Sequence, residues 1–268
     1  MNEEKIKKHN IKNLLFGSFL LTFSLTLTGF FLPFFLRQKG LSALQIGGLF
    51  TISIVAGSLF FGVFFSRIIK KIKLKFGLLL AGALNFFETF VLYLFTSTGG
   101  AVVNQFTDNI TSHVSRISFD VTAQHNLKKG KERDISSLAN IVSGIGEILG
   151  IALCIILLPI IGFQISFLIF SLISLFSLFF YFKIDDKTRF KNNSKFGKLP
   201  KITGKLKLIL FSEIIYWLAL SSSFSLVITF LVTDKLSGGI LQIGLLFIAL
   251  YGSMTLVSYI AKEKLKNI

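Results

Sequence analysis

Long apolar runs alternate with short polar ones along the whole chain. Eight runs are long enough to cross the hydrocarbon core of a bilayer as helices: about 13–36, 43–66, 76–97, 100–123, 136–159, 161–182, 207–233 and 239–260. The pattern therefore predicts an all-α polytopic membrane protein. One connection is long and polar, about 183–205, and divides six spans from two. The expected organisation is a six-helix bundle over 1–182, a basic linker over 183–206 and a partial second bundle of two helices over 207–268. Pro33 and Pro159 lie near the ends of spans one and five, where a helix can stop or bend without orphaning many carbonyls. Gly57 and Gly62 in span two, and Gly144, Gly146 and Gly150 in span five, allow close helix approach.

The stretch Gly40 to Lys75 has an echo. Leu44-Gln-Ile-Gly-Gly-Leu-Phe50 returns as Leu241-Gln-Ile-Gly-Leu-Leu-Phe247, and Leu41-Ser42 returns as Leu236-Ser237. Both copies open a membrane-length helix that runs into lysines, so the second half is expected to begin as the first does.

Composition supports a lipid environment. The chain of 268 residues is 52% hydrophobic with 32 Phe, and its mean hydropathy is +0.73. A soluble domain of this length cannot bury so much apolar side chain. The formal charge of +16 does not signal nucleic acid, because the cations sit in short runs between spans. Twenty-five of the 29 Lys and Arg fall on one alternating set of flanks, from Lys5, Lys7, Lys8 and Lys12 to Lys262, Lys264 and Lys266. The other set carries Arg37, Lys39 and Lys235. That asymmetry predicts a multi-pass protein of the cell membrane with both termini cytoplasmic. Cys154 is alone in an apolar span, so neither a disulfide framework nor a cysteine metal site is expected.

Six charged residues fall inside the spans: Glu88, Asp108, Arg116, Asp120, Glu147 and Glu213. Facing hydrocarbon each would cost a few kcal/mol, about 2.5–3.5 at mid-membrane, so each should face a bundle interior, a cavity or the interface. Span four is the most polar. Gln105, Asn109, His113, Arg116 and Asp120 step by three or four and line one helical face, with Asp108 beside it. Such a helix crosses a membrane comfortably only if one side meets water. Span one carries Ser18, Thr22, Thr26 and Gly29 on one stripe, and span seven carries Glu213, Trp217, Ser221 and Ser225. Hydroxyl back-bonding accounts for the first equally well, and interfacial anchoring for Glu213 and Trp217. The cavity-lining candidates are Thr22, Thr26, Asn109, His113, Arg116, Trp217 and Ser221. A carboxyl in low dielectric favours its neutral form, which suits a proton carrier. Asp108, Asp120, Glu147 and Glu213 are the candidates, while Glu88 is read as a packing carboxyl.

Gly62-Val-Phe-Phe-Ser66-Arg67-Ile-Ile69-Lys70-Lys71 resembles the signature of the major facilitator superfamily, which follows its second helix. Gly62, Arg67, Lys70 and Lys71 fit that signature. Ser66 stands where an acid is usual, and Ile69 where a second glycine is. The run Gly40 to Gly47 is similar to the family's entry into that helix. The resemblance implies a cavity lined by helices one, four and seven, with the loop at Gly62, Ser66, Arg67, Lys70 and Lys71 helping to gate it. It also implies twelve helices, so this chain is expected to represent the first eight, as a truncated frame, a gene fragment or one part of a split transporter, with the cavity open on one side unless a second chain completes it. The function expected is secondary active transport of a small solute by alternating access, with proton coupling. The alternative is a non-transporting sensor or assembly factor on the same scaffold. No metalloprotease, paired-aspartate or serine–histidine motif is present, so an enzyme is not expected, nor any cofactor.

Overall fold

The computed structural model describes residues 3–60, 74–126, 132–185 and 226–265, and those residues are helical with short turns between. The helices are α1 (Glu3–Gln38), α2 (Ala43–Phe60), α3 (Leu74–Leu94), α4 (Thr98–Asn126), α5 (Glu132–Phe182) and α6 (Ile240–Leu265). A helical turn over 226–230 runs into a π-helical turn, Leu231–Lys235, ahead of α6.

Segment α5 is one unbroken run of helical hydrogen bonding only by name. Gly162 has φ 73° and ψ 178°, and the chain reverses there. Before it, Gly146 packs on Phe19 and Gly150 on Thr26, so this arm runs parallel to α1. Beyond it, Phe163 meets Phe35, Phe170 meets Phe23 and Phe180 meets Phe16, so the second arm runs back along α1. The separate spans at 136–159 and 161–182 are thus two antiparallel arms, hinged three residues after Pro159. Pro33, by contrast, does not end α1, which continues to Gln38.

Aromatic and small residues fix the packing. Phe30 of α1 lies 4.7 Å from Phe247 and 5.0 Å from Tyr251 of α6, between ring centres. Gly144 leaves room for Thr255, and Gly244 for Ile155, so α6 runs antiparallel to the first arm of α5. Gly77 packs on Ser118 and Gly82 on Ser177, seating α3 against α4 and the second arm.

The repeated motif has a local cause. In the first copy the Ser42 amide donates to Gln45 Oε1 (2.9 Å) and the Gln45 amide to Ser42 Oγ (3.3 Å), a reciprocal capping box. In the second the Gly239 amide donates to Gln242 Oε1 (2.9 Å). Ile46 and Phe50, and their counterparts Ile243 and Phe247, are all buried in one apolar cluster. The echo is a helix start plus two core anchors.

The two ends of the bundle differ. At one, the Asn10 side-chain amide donates to Asn126 Oδ1 and to the Asp185 carbonyl, and its oxygen accepts from the Asp185 amide, all at 2.9 Å. Lys5, Lys8, Lys12, Lys75 and Lys183 lie at this end. At the other, α1 stops in a Schellman turn at Gly40, φ 89°, with the Leu41 amide on the Leu36 carbonyl at 3.2 Å. There Arg37 Nε and Nη2 donate to the two oxygens of Asp234, each at 3.2 Å.

Among the described residues four helices are long and apolar enough to cross a membrane: α1, α3, α5 and α6. Large apolar side chains such as Ile160, Phe176 and Val257 are exposed on their outer faces, as suits a membrane protein. Eight spans were expected. Helix α4 has the length but is too polar to meet the same standard, α2 is described only to Phe60, and most of 207–233 lies outside the described residues.

Candidate functional site

Helix α4 has two faces of different character. One carries Thr107, Ile110, Thr111, Val114 and Ser118, all buried. It packs on α3, where Asn104 Nδ2 donates to the Glu88 carbonyl (3.1 Å) and Thr111 Oγ1 lies 3.0 Å from Glu88 Oε2. That commitment turns the other face outward from the pair. Gln105, Asp108, Asn109, Ser112, His113 and Arg116 line a cavity of about 600 Å³, together with Phe50, Ile54 and Ser58 of α2 and Gly29 of α1. Gly57 lets α2 approach: a Cβ there would sit 2.7 Å from Asn109 Cβ and 3.0 Å from the Phe106 carbonyl. The Asn109 amide is held by its donation to the Gln105 carbonyl at 2.8 Å.

The cavity gathers a carboxyl, a guanidinium, an imidazole, two amides and the Ser112 hydroxyl on the α4 side, with Phe50, Ile54 and the Ser58 hydroxyl of α2 opposite. Walls of that kind hold water, or a small solute bearing polar groups of both signs beside an apolar part.

The expected residues divide as follows. Asp108, Asn109, His113 and Arg116 come together at the cavity. Asp120 lies one turn beyond it, exposed. Thr22 Oγ1 donates to the Ser18 carbonyl (2.9 Å) and Thr26 Oγ1 to the Phe23 carbonyl (2.6 Å), so both follow the back-bonding reading. Thr26 is buried against Gly150, and the α1 contribution to the cavity is Gly29 instead. Glu147 lies within electrostatic reach of Tyr251, on the side of α5 that meets α1 and α6. Glu213, Trp217 and Ser221, and the loop residues Gly62, Ser66, Arg67, Lys70 and Lys71, lie outside the described residues.

The α2 wall was not anticipated. Phe50, Ile54 and Ser58 step by four along an apolar helix, and their spacing beside Gly57 was the available signal. No protein-family model matches the chain, and no curated protein matches it.

Proposed function

We propose that this chain is a secondary transporter that moves a small polar solute across the cell membrane by alternating access, on the pattern of the major facilitator superfamily. The observation that carries the reading is the cavity itself: α4, the most polar of the described helices, turns its charged face into a space of about 600 Å³ between three helices. Ionisable groups on a membrane-crossing helix that face a cavity mark solute or ion paths by default, because each would be costly facing hydrocarbon. In this reading Arg116 attracts an anionic group of the solute, Asn109 and His113 hydrogen-bond it, and Asp108 carries the coupling proton. The basic end, with Lys5, Lys8, Lys12, Lys75 and Lys183, is cytoplasmic by the positive-inside rule, and both termini with it. The echoed helix start at Ser42 and Gly239 supports a second half built as the first, and rocking of the halves would alternate access.

The test is flux. Purified protein in liposomes loaded with a pH-sensitive dye is challenged with a panel of amino acids, organic anions and sugars under an imposed proton gradient. At least one solute is expected to shift the dye, and Arg116→Ala to abolish the shift while the protein stays inserted. A fully inserted protein that answers no member of the panel would favour the non-transporting scaffold.

A further inference from the structure

The amino-terminal half of α1 carries Lys5, Lys8 and Lys12 at steps of three and four, all exposed, so they form one basic face. Leu15, Phe16 and Phe19 continue that face into the apolar part of the helix. Across from them Val142 and Ile145 of α5 complete a groove of about 290 Å³. Its wall is carbon throughout, since Lys12 contributes only its methylene stem. The Lys12 ammonium sits at the mouth, 5.9 Å from the centre of the Phe16 ring. Phe16 is held in turn by stacking on Phe180, 5.5 Å away at 17°. Among the described residues none of the three lysines is paired with a carboxylate.

A water-soluble solute finds nothing to bond inside this groove, and a neutral hydrocarbon leaves the cations at its mouth unmatched. Both parts are satisfied by one molecule with an anionic head and an apolar tail. We propose that the groove between α1 and α5 is a binding site for an anionic phospholipid of the leaflet at this end of the bundle. Its phosphate lies against Lys8 and Lys12, and one acyl chain lies along Phe16, Phe19, Val142 and Ile145. The inference rests on the membrane reading above but not on transport.

The full chain is reconstituted in vesicles of equal phosphatidylglycerol and phosphatidylcholine and checked by flotation. It is then extracted in mild detergent, and the retained phospholipid is counted by native mass spectrometry. Retained phosphatidylglycerol is expected to exceed phosphatidylcholine. Lys8→Gln and Lys12→Gln are each expected to cut that excess roughly fivefold, the effect of about one lysine's attraction at a membrane surface. Ile145→Trp, which fills the groove, is expected to lower retention of both lipids, and Lys39→Gln at the opposite end to change neither. Equal retention of the two lipids by a protein that floats overturns this site alone, as does an excess unchanged in Lys8→Gln and Lys12→Gln. Displacement by millimolar inorganic phosphate would show an anion site without a chain site and overturn it too. Failure to float overturns the membrane reading, and this site with it.

Discussion

Thr111 has one hydroxyl proton and two acceptors at 3.0 Å, its own Thr107 carbonyl and Glu88 Oε2. The other carboxyl oxygen of Glu88, Oε1, is buried without a partner. An ionised carboxylate so poorly matched would be expensive, whereas a neutral group of the same shape keeps the Thr111 contact at little cost. Thr111→Val preserves shape but strands both oxygens, and should lower stability by about 1–3 kcal/mol. Glu88→Gln keeps the contact and should leave the unfolding temperature unchanged or higher. Thermal unfolding in detergent reads both, and an equal fall in Glu88→Gln would show that the carboxylate itself is needed. Glu88 reads in the sequence as a packing carboxyl, and it packs on α4 through Thr111. That partner was not legible there, because helical periodicity reports which residues share a face and says nothing of which helix that face meets. The same limit explains Thr26, whose stripe pointed inward correctly but toward Gly150 rather than toward water.

Gly162 decides the shape of the longest element. With φ 73° and ψ 178° it occupies a region open essentially only to glycine, and a Cβ there would meet nothing within 4 Å, so a substitution would be penalised by the backbone alone. Gly162→Ala should therefore cost about 1–3 kcal/mol. Gly47→Ala is the control: it is helical and equally free of neighbours, and should be neutral or stabilising by up to about 1 kcal/mol. Helix loss on heating, followed by circular dichroism, distinguishes the two, and equal behaviour would mean the reversal does not depend on that backbone state. Length alone told that the apolar run from 136 to 182 is too long for one crossing. The spans 136–159 and 161–182 put the break beside Pro159, two residues short of Gly162, because proline is the stronger helix-ending signal and the backbone state of Gly162 is not written in the sequence. Helix α4 shows the opposite case. Its polar face was plain from spacing, and only the Thr-rich face packing on α3 revealed why the charges turn away from that pair.

Across the molecule, the segment before α6 meets the first helices through the apolar cluster that buries Val232 with Leu36 and Ile46, and, at the end away from Asn10, through the Arg37–Asp234 pair at 3.2 Å. Both side chains are about a third exposed, 38% and 34%, so the pair should contribute at most about 1 kcal/mol. Arg37→Asp with Asp234→Arg is expected to restore whatever small loss of unfolding temperature either change causes alone. Two losses that simply add in the double variant would mean the pair is not coupled.

Whether the cavity is wet is also a property of the whole assembly, and chemistry reads it, since lipid and water both meet exposed side chains but differ in the reactions they allow there. A maleimide that does not cross membranes reacts with a thiolate, and a thiolate needs water. Cys154 is buried, and replacing it with alanine leaves a cysteine-free background. In that background Ser58→Cys and Ser112→Cys put a thiol on the α2 and α4 walls of the cavity with almost no change of volume. Phe176→Cys and Ile156→Cys put one on the outer face, at positions 64% and 58% exposed. In sealed vesicles the two cavity thiols should label and the two outer ones should not, although the outer positions are the more open in the bare protein. Labelling of Phe176→Cys and Ile156→Cys with silence at Ser58→Cys and Ser112→Cys would mean that the charged face of α4 is sealed from water, and a solute path along it would then have no physical basis.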